Sequence, residues 1–385
     1  MKETGNASRG RLGGDNAFVH HAEAVSTQRE PYGPPGFRGI FSNHFAALCA
    51  GFAAIGGLLF GYDQGVVSVI LTEKQFLSRF KQVDQGGLGF VFPIQRMQEA
   101  DEVAHSSFYK GLLTAVLQLG AFLGAFNQGW IADKLSRKYA IVVAVVFFIV
   151  GSILQTAAVD YAMLAVGRLV GGVGIGQLSM AAPLYISEIS PPEIRGALLV
   201  LEEFCIVSGI VIAYWITYGT RYIVSEWAWR LPFLLQIVPG IVLGIGILYL
   251  PFSPRWLCSK GRNDEALLAL GKLRRLPTSD TRVRLEWFDI RAETTFHQEM
   301  NAVRHPDLQD GSKASRIRLE LASWGDCFRK GCWRRTHVAV VLMLFQQWVG
   351  INALIYYSPS LFETMGLSYS MQLVMSGGHA RGDLC

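Results

Sequence analysis

The sequence predicts an all-α membrane protein, and three observations predict it. Hydrophobic residues make up 51% of the 385 and charged residues only 17%, too apolar a balance for an ordinary soluble domain. The apolar residues fall into seven blocks, each close to or above the roughly 20 residues that cross a bilayer as a helix. Aromatic residues such as Trp227, Trp229 and Trp256 stand near block ends, where interface anchors belong.

Taken in order, residues 1–43 are polar and rich in Gly and Pro, which predicts a disordered tail. The blocks at 44–71, 108–132, 139–159, 162–187, 197–219 and 231–251 predict six spanning helices in a domain over 44–257. A charged linker domain follows over 258–335. Within it DEALLALGKLRRL, residues 264–276, has acids first and bases last, the charge order that suits a short amphipathic helix. That helix could lie against the bundle or stay solvated. The seventh block, 336–362, predicts a last spanning helix within 336–368. Residues 369–385 form an atypical tail whose SGGHARGD stretch, 376–383, is no membrane helix.

Charge placement orients these elements. The linker holds 16 Lys and Arg against 11 Asp and Glu, a difference that equals the net charge of +5 for the whole chain. The basic balance is therefore a loop property and not a nucleic-acid footprint. Lys134, Arg137 and Lys138 follow the second block and Arg195 follows the fourth, whereas the 72–107 loop holds four basic and five acidic residues. Positive-inside bias then predicts a cytosolic N-terminus and linker, with the plasma membrane as the expected location. The Asn6-Ala7-Ser8 sequon would be unused there. The six cysteines show no metal spacing, and free thiols are expected. No metal site or cofactor is predicted, and no nucleophile constellation or phosphate loop marks an enzyme.

Small residues recur at helical spacing. Gly57, Gly61 and Gly65 form a double GxxxG, and Gly120/Gly124, Gly167/Gly171 and Gly172/Gly176 repeat it, the pattern that lets membrane helices approach closely. GGVGIG at 171–176 lacks a preceding strand and misplaces its third glycine, so packing is favoured over nucleotide binding.

Two charges lie inside blocks: Asp63 in GGLLFGYDQG and Arg168 in AVGRLVGGVGIG. A charge at mid-membrane costs roughly 2.5–3.5 kcal/mol. Each sits in the first helix of a three-helix group, so a pair across the repeat interface is predicted. Glu202 and Glu203 place at least one carboxyl near membrane depth. The segment QQWVGINALIYYSPSLF, 346–362, puts Gln346, Gln347, Asn352, Tyr356 and Tyr357 in an apolar run. Neutral groups that donate and accept match sugar hydroxyls, which do both. On a straight helix Asn352 would stand about 140° round from Gln347. Both can meet one ring only if the helix unwinds near Gly350.

These residues carry a resemblance. GGLLFGYD (56–63), GWIADKLSRK (129–138), GRLVGG (167–172), PLYISEISPPEIRG (183–196), PFSPRWL (251–257) and QQWVGIN (346–352) together resemble the sugar porter family of the major facilitator superfamily. The likeness runs over about residues 44–368 and is nearest to fungal monosaccharide transporters. It implies an N-terminal six-helix half, a cytosolic helical linker and the first helix of a second half. It implies a monosaccharide substrate, hexose or pentose, bound between the halves and carried by alternating access, with proton coupling. The family's sugar-contacting amides fall on Gln346, Gln347 and Asn352, and a further sugar-binding position falls on Glu203. Its proton-linked aspartate and partner arginine fall on Asp63 and Arg168. Its cytosolic charge gate falls on Asp133, Arg137, Glu188, Arg195 and Arg255.

The chain departs from the family in places. The glycine of its GRR turn is Ser136, and the glutamate of its PESPR motif is Phe252, which removes a gate carboxylate. Ile210 stands where the family usually has a sugar-binding glutamine, which removes a polar contact and predicts a sugar preference that departs from glucose. Five helices of the full fold are missing from the sequence, and the 385-residue chain by itself is expected not to transport. The competing expectations are a sugar receptor and an inactive or dominant-negative fragment.

Overall fold

The computed structural model describes residues 30–376, apart from 82, 84–95, 307–311, 330 and 369–370. The Asn6 sequon and most of the 369–385 tail lie outside the described residues. Among those described, every regular element is helical, and seven helical stretches are long and apolar enough to cross a membrane.

The first span is α2 (His44–Ala53) and α3 (Ile55–Ile70), preceded by a short α1 (Phe37–Ser42) and followed by α4 (Lys74–Arg79). The second and third are α5 (Arg96–Leu135) and α6 (Arg137–Thr156). The fourth and fifth are α7 (Tyr161–Ile189) and α8 (Arg195–Thr220). The sixth breaks into α9 (Trp227–Leu235), α10 (Ile237–Gly246) and a single 3₁₀ turn. Its break has a cause in the sequence: Pro239 has no N–H for the carbonyl of Leu235, four residues earlier, and its ring crowds that carbonyl. α9 ends at Leu235.

Two expectations are corrected here. The 72–107 segment is not all loop, because α5 begins at Arg96. The tail predicted through residue 43 is structured from 30 onward. The Gly36 N–H donates to Glu193 O at 3.1 Å, and Tyr32 packs against the linker domain. Tertiary contacts therefore override the Gly- and Pro-rich composition that predicted disorder.

The glycine pattern becomes helix contacts. α3 packs on α8, while α5 and α6 both pack on α7. A Cβ at Gly61 would lie 1.8 Å from Ile206 O, and one at Gly176 would lie 1.9 Å from Ala121 O. Only glycine permits these approaches, and dispersion across them holds helices where lipid supplies no hydrophobic drive. The outer faces are apolar, with Phe122, Val146 and Val242 exposed, as suits helices that sit in lipid.

The linker domain consists of α11 (Pro254–Ser259), α12 (Asn263–Arg274), α13 (Thr281–Arg304) and α14 (Lys313–Asp326). α12 realises the amphipathic helix, and it packs instead of staying solvated. Ala266, Ala269 and Leu270 bury with Trp256, Leu257, Val283 and Ile290 in one cluster. Arg274 anchors the domain to the bundle. Its guanidinium donates twice to Glu286, at 3.0 and 2.6 Å, and once to the carbonyl of Ile189, the last residue of α7, at 2.8 Å.

The seventh span is α15 (Trp333–Trp348) and α16 (Ile351–Thr364). The chain breaks between them at Gly350, with φ +79°, a left-handed conformation that glycine adopts without a Cβ clash. Tyr356 buries among α3 residues, and Tyr357 shares a 2.9 Å hydrogen bond with Thr114 of α5. A final helical turn over 371–376 returns to α8, where the Tyr214 hydroxyl donates to Leu373 O at 2.5 Å.

Candidate functional site

A cavity of about 600 Å³ opens between α3, α8 and the seventh span, within the size range of small-molecule sites. Gln346, Gln347 and Asn352 all line it. The Gly350 break turns Asn352 back toward the preceding helix, so that its Nδ2 donates to Gln347 Oε1 at 2.7 Å. The convergence that a straight helix forbids is therefore met by unwinding at the expected residue.

Glu202 and Glu203 both line the cavity, and they differ in setting. Glu202 is 6% exposed and buried against α3, while the neighbouring Glu203 is exposed. A Cβ at Gly57 would lie 3.0 Å from Glu202 O and 3.3 Å from its Oε1. The missing side chain at Gly57 is thus what makes room for Glu202. Sequence reasoning singled out Glu203, but the buried carboxyl is its neighbour. The signal for it was Gly57 opposite Glu202, which requires the helix pairing to be known. Gln64, Ser68 and Gln118 also line the cavity and were missed, because isolated polar residues in spanning helices most often serve packing.

Asp63, next to the cavity-lining Gln64 in α3, meets Arg168 of α7. Both are fully buried, with Arg168 Nη2 3.6 Å from Asp63 Oδ2. Arg168 is fixed by donation from Nε to Leu113 O at 3.0 Å and from Nη1 to Gln155 Oε1 at 3.5 Å. The Asp63 oxygens have no hydrogen-bond partner among the described residues. The arginine is held from behind, and the carboxylate is held by charge alone. Such a carboxylate can gain and lose a proton without breaking a hydrogen-bond network.

At the opposite end of α7 lies a charge cluster. Arg137 donates to Asp133 at 2.8 Å and to Glu188 at 2.9 Å. Ser253 completes it by donating to the other Glu188 oxygen at 2.5 Å while capping α11. Of the five residues expected at the gate, Asp133, Arg137 and Glu188 come together. Arg255 instead pairs with Glu293 of α13 at 2.8 Å, and Arg195 donates to the carbonyl of Ser190 at 3.5 Å. Arg255 sits on α11, which faces α13, and that nearer carboxylate captures it. Phe252 replaces the absent gate carboxylate with a ring. Lys138 lies 4.8 Å from its centroid, and Trp256 stacks on it at 5.8 Å. Ser136 occupies the lost glycine's place with φ +107°, its Oγ accepting from the Tyr139 N–H at 3.3 Å.

Seven long apolar helices that bury a charge pair next to a mostly apolar cavity define a multi-pass membrane protein. The chain belongs to the Sugar (and other) transporter family, whose profile matches residues 49–379, and so to the sugar porters of the major facilitator superfamily. It is 33% identical over 330 residues to the MFS-type transporter criB of Aspergillus cristatus, covering 86% of this chain and 62% of that protein. It is 33% identical over 349 residues to the probable inositol transporter 2 of Arabidopsis thaliana, covering 89% and 53%. Likewise it is 31% identical over 325 residues to the high-affinity glucose transporter of Kluyveromyces lactis, covering 84% and 52%. The chain thus spans between half and two thirds of these relatives' lengths. Its fold is similar to that of the proton:xylose symporter XylE bound to 6-bromo-6-deoxy-D-glucose, with a TM-score of 0.67, 23% identity and coverage of 89% of this chain and 67% of that one. The matched family is one of transporters.

Proposed function

We propose that the protein carries a monosaccharide, hexose or pentose, across the plasma membrane by alternating access and in symport with a proton. The observation that carries this reading is the convergence of Gln347 and Asn352 across the Gly350 break into the cavity that Gln346 and Glu202 also line. Amides placed this way present donors and acceptors together, as a ring of hydroxyls requires. The relatives named for glucose and inositol support a polyhydroxy substrate.

Proton coupling rests on Asp63. With a proton on Asp63 the ion pair with Arg168 is released; without it the pair re-forms at a site that binds α3 to α7. A carrier whose helix contacts depend on that proton can link its uptake to sugar movement. Asp133, Arg137 and Glu188 form the cytosolic latch in this reading, with Arg195 and Arg255 tying the adjoining loop and linker. In this reading the N-terminus lies in the cytosol, the side that the Lys and Arg placement favours.

The test uses labelled hexose and pentose in cells lacking their own sugar carriers, with the protein expressed from its complete reading frame. Asp63→Asn is expected to abolish uphill, pH-dependent uptake while sparing exchange. Gln347→Ala is expected to weaken sugar affinity about tenfold, the effect of hydroxyls left without a partner. Unchanged affinity after replacing each of Gln346, Gln347 and Asn352 would sink the substrate site, and unchanged proton coupling would make Asp63 structural.

A further inference from the structure

Hydroxyls in the described spanning helices commonly bond back to a carbonyl three or four residues earlier. Ser152 donates to Phe148 O, Thr156 to Ser152 O, Ser190 to Ile186 O, Ser208 to Phe204 O and Thr217 to Ala213 O. Each is a bond to the carbonyl four residues earlier, the usual way to satisfy a hydroxyl in a helix. Ser68 breaks the habit. It lies in α3, is 2% exposed, and its Oγ has no partner among the described residues. It also lines the cavity, as does Gln64, four residues earlier on the same helical face.

A buried hydroxyl without a partner loses the bond it had with water, so an orphan one at the wall of a ligand cavity points to the ligand. From this we infer that Ser68 is a substrate-contact residue whose hydroxyl pairs with one hydroxyl of the sugar, with Gln64 about 6 Å along the helix axis reaching a different one. The inference rests on the carrier reading and deepens it. Ser68 reads the presence of a hydroxyl at a defined ring position, alongside the amides of the seventh span that line the same cavity. A serine suits this task because its hydroxyl both donates and accepts, so either orientation of the sugar hydroxyl is satisfied. The adjoining lining carries two carboxyls, Glu202 and Glu203, and no Lys or Arg, so the substrate hydroxyls meet a wall that favours neutral sugars over sugar acids.

The test is a KM and kcat comparison of the protein with Ser68→Ala, for D-glucose, D-xylose and the singly deoxygenated glucose analogues. Ser68→Ala is expected to raise KM about threefold to tenfold, the worth of one neutral hydrogen bond, with kcat within twofold. The increase should vanish for the one analogue that lacks the contacted hydroxyl. Ser208→Ala, whose hydroxyl is bonded within its own helix and lies outside the cavity, should leave KM unchanged. Detergent-solubilised Ser68→Ala should melt no lower than the parent, since no internal bond is lost. An unchanged KM, or an increase equal across every analogue, would overturn the assignment to Ser68 while leaving the carrier reading standing. Absence of saturable uptake of any sugar by the protein expressed from its complete reading frame would overturn both.

Discussion

Replacing Arg274 with alanine removes the bond network that fastens the linker domain to the bundle. The side chain is 1% exposed and Glu286 is 11% exposed, so the pair is shielded from water. Three hydrogen bonds go: two to Glu286 and one to Ile189 O. The packing of the guanidinium over Tyr32, 5.2 Å from the ring centroid, goes with them. The larger effect is on Glu286, which is left in its pocket without its guanidinium. Breaking a buried pair from one side costs about 3–5 kcal/mol. Local opening of α12 and α13 should then become on the order of a hundred- to a thousandfold more frequent, at 1.4 kcal/mol for each factor of ten. Hydrogen exchange over 263–290, and trypsin cleavage within it under conditions where opening is fast, report that population directly. The paired change Arg274→Met with Glu286→Leu should recover most of the loss, because apolar side chains of similar volume need no counter-charge. Exchange in Arg274→Ala within fivefold of the parent, or a double variant as open as the single one, would refute the reasoning.

Glu73 gives a pH prediction. It stands just before α4, beyond the end of the first span, is 1% exposed, and neither carboxyl oxygen has a partner among the described residues. Burial holds its carboxyl at about 8, against an ordinary value of 4.5. Between those values the folded protein keeps a proton that the unfolded chain has released, so stability falls as pH rises, by on the order of several kcal/mol in all. Glu73→Gln should therefore melt higher than the parent at pH 8.5 and equally at pH 4, and an equal shift at both pH values would contradict this. Ser136→Gly should stabilise the protein by about 1–2 kcal/mol. It relieves a positive φ that costs a side chain about 1–3 kcal/mol and loses only a few tenths for the cap. A lower melting temperature would show that the serine cap outweighs the strain.

Much of this protein was legible in the chain, because a membrane constrains sequence so strongly. Backbone groups in lipid must bond internally, so long apolar blocks can only be helices, and the seven blocks are the seven spans. A charge is so unfavourable in lipid that Asp63 and Arg168 had to find each other. The 140° separation of Gln347 and Asn352 required a break, and Gly350 was the residue able to supply it. Helix geometry alone reaches those conclusions, since each concerns one helix or one strongly attracted pair.

The remaining features depend on which helices face which. Glu202 rather than Glu203 is the buried carboxyl because Gly57, far away in sequence, clears the space for it. Arg255 pairs with Glu293 instead of joining the Arg137–Glu188 cluster because α11 faces α13, and Ser253 takes a place at Glu188 that no motif spacing announces. Residues 30–43 are ordered by the α7–α8 turn and the linker domain, against their own composition. The orphan hydroxyl of Ser68 is visible only as a missing bond. Local chemistry sets what a residue costs to bury, but which partner relieves that cost is settled by long-range packing, and packing is not periodic in the sequence.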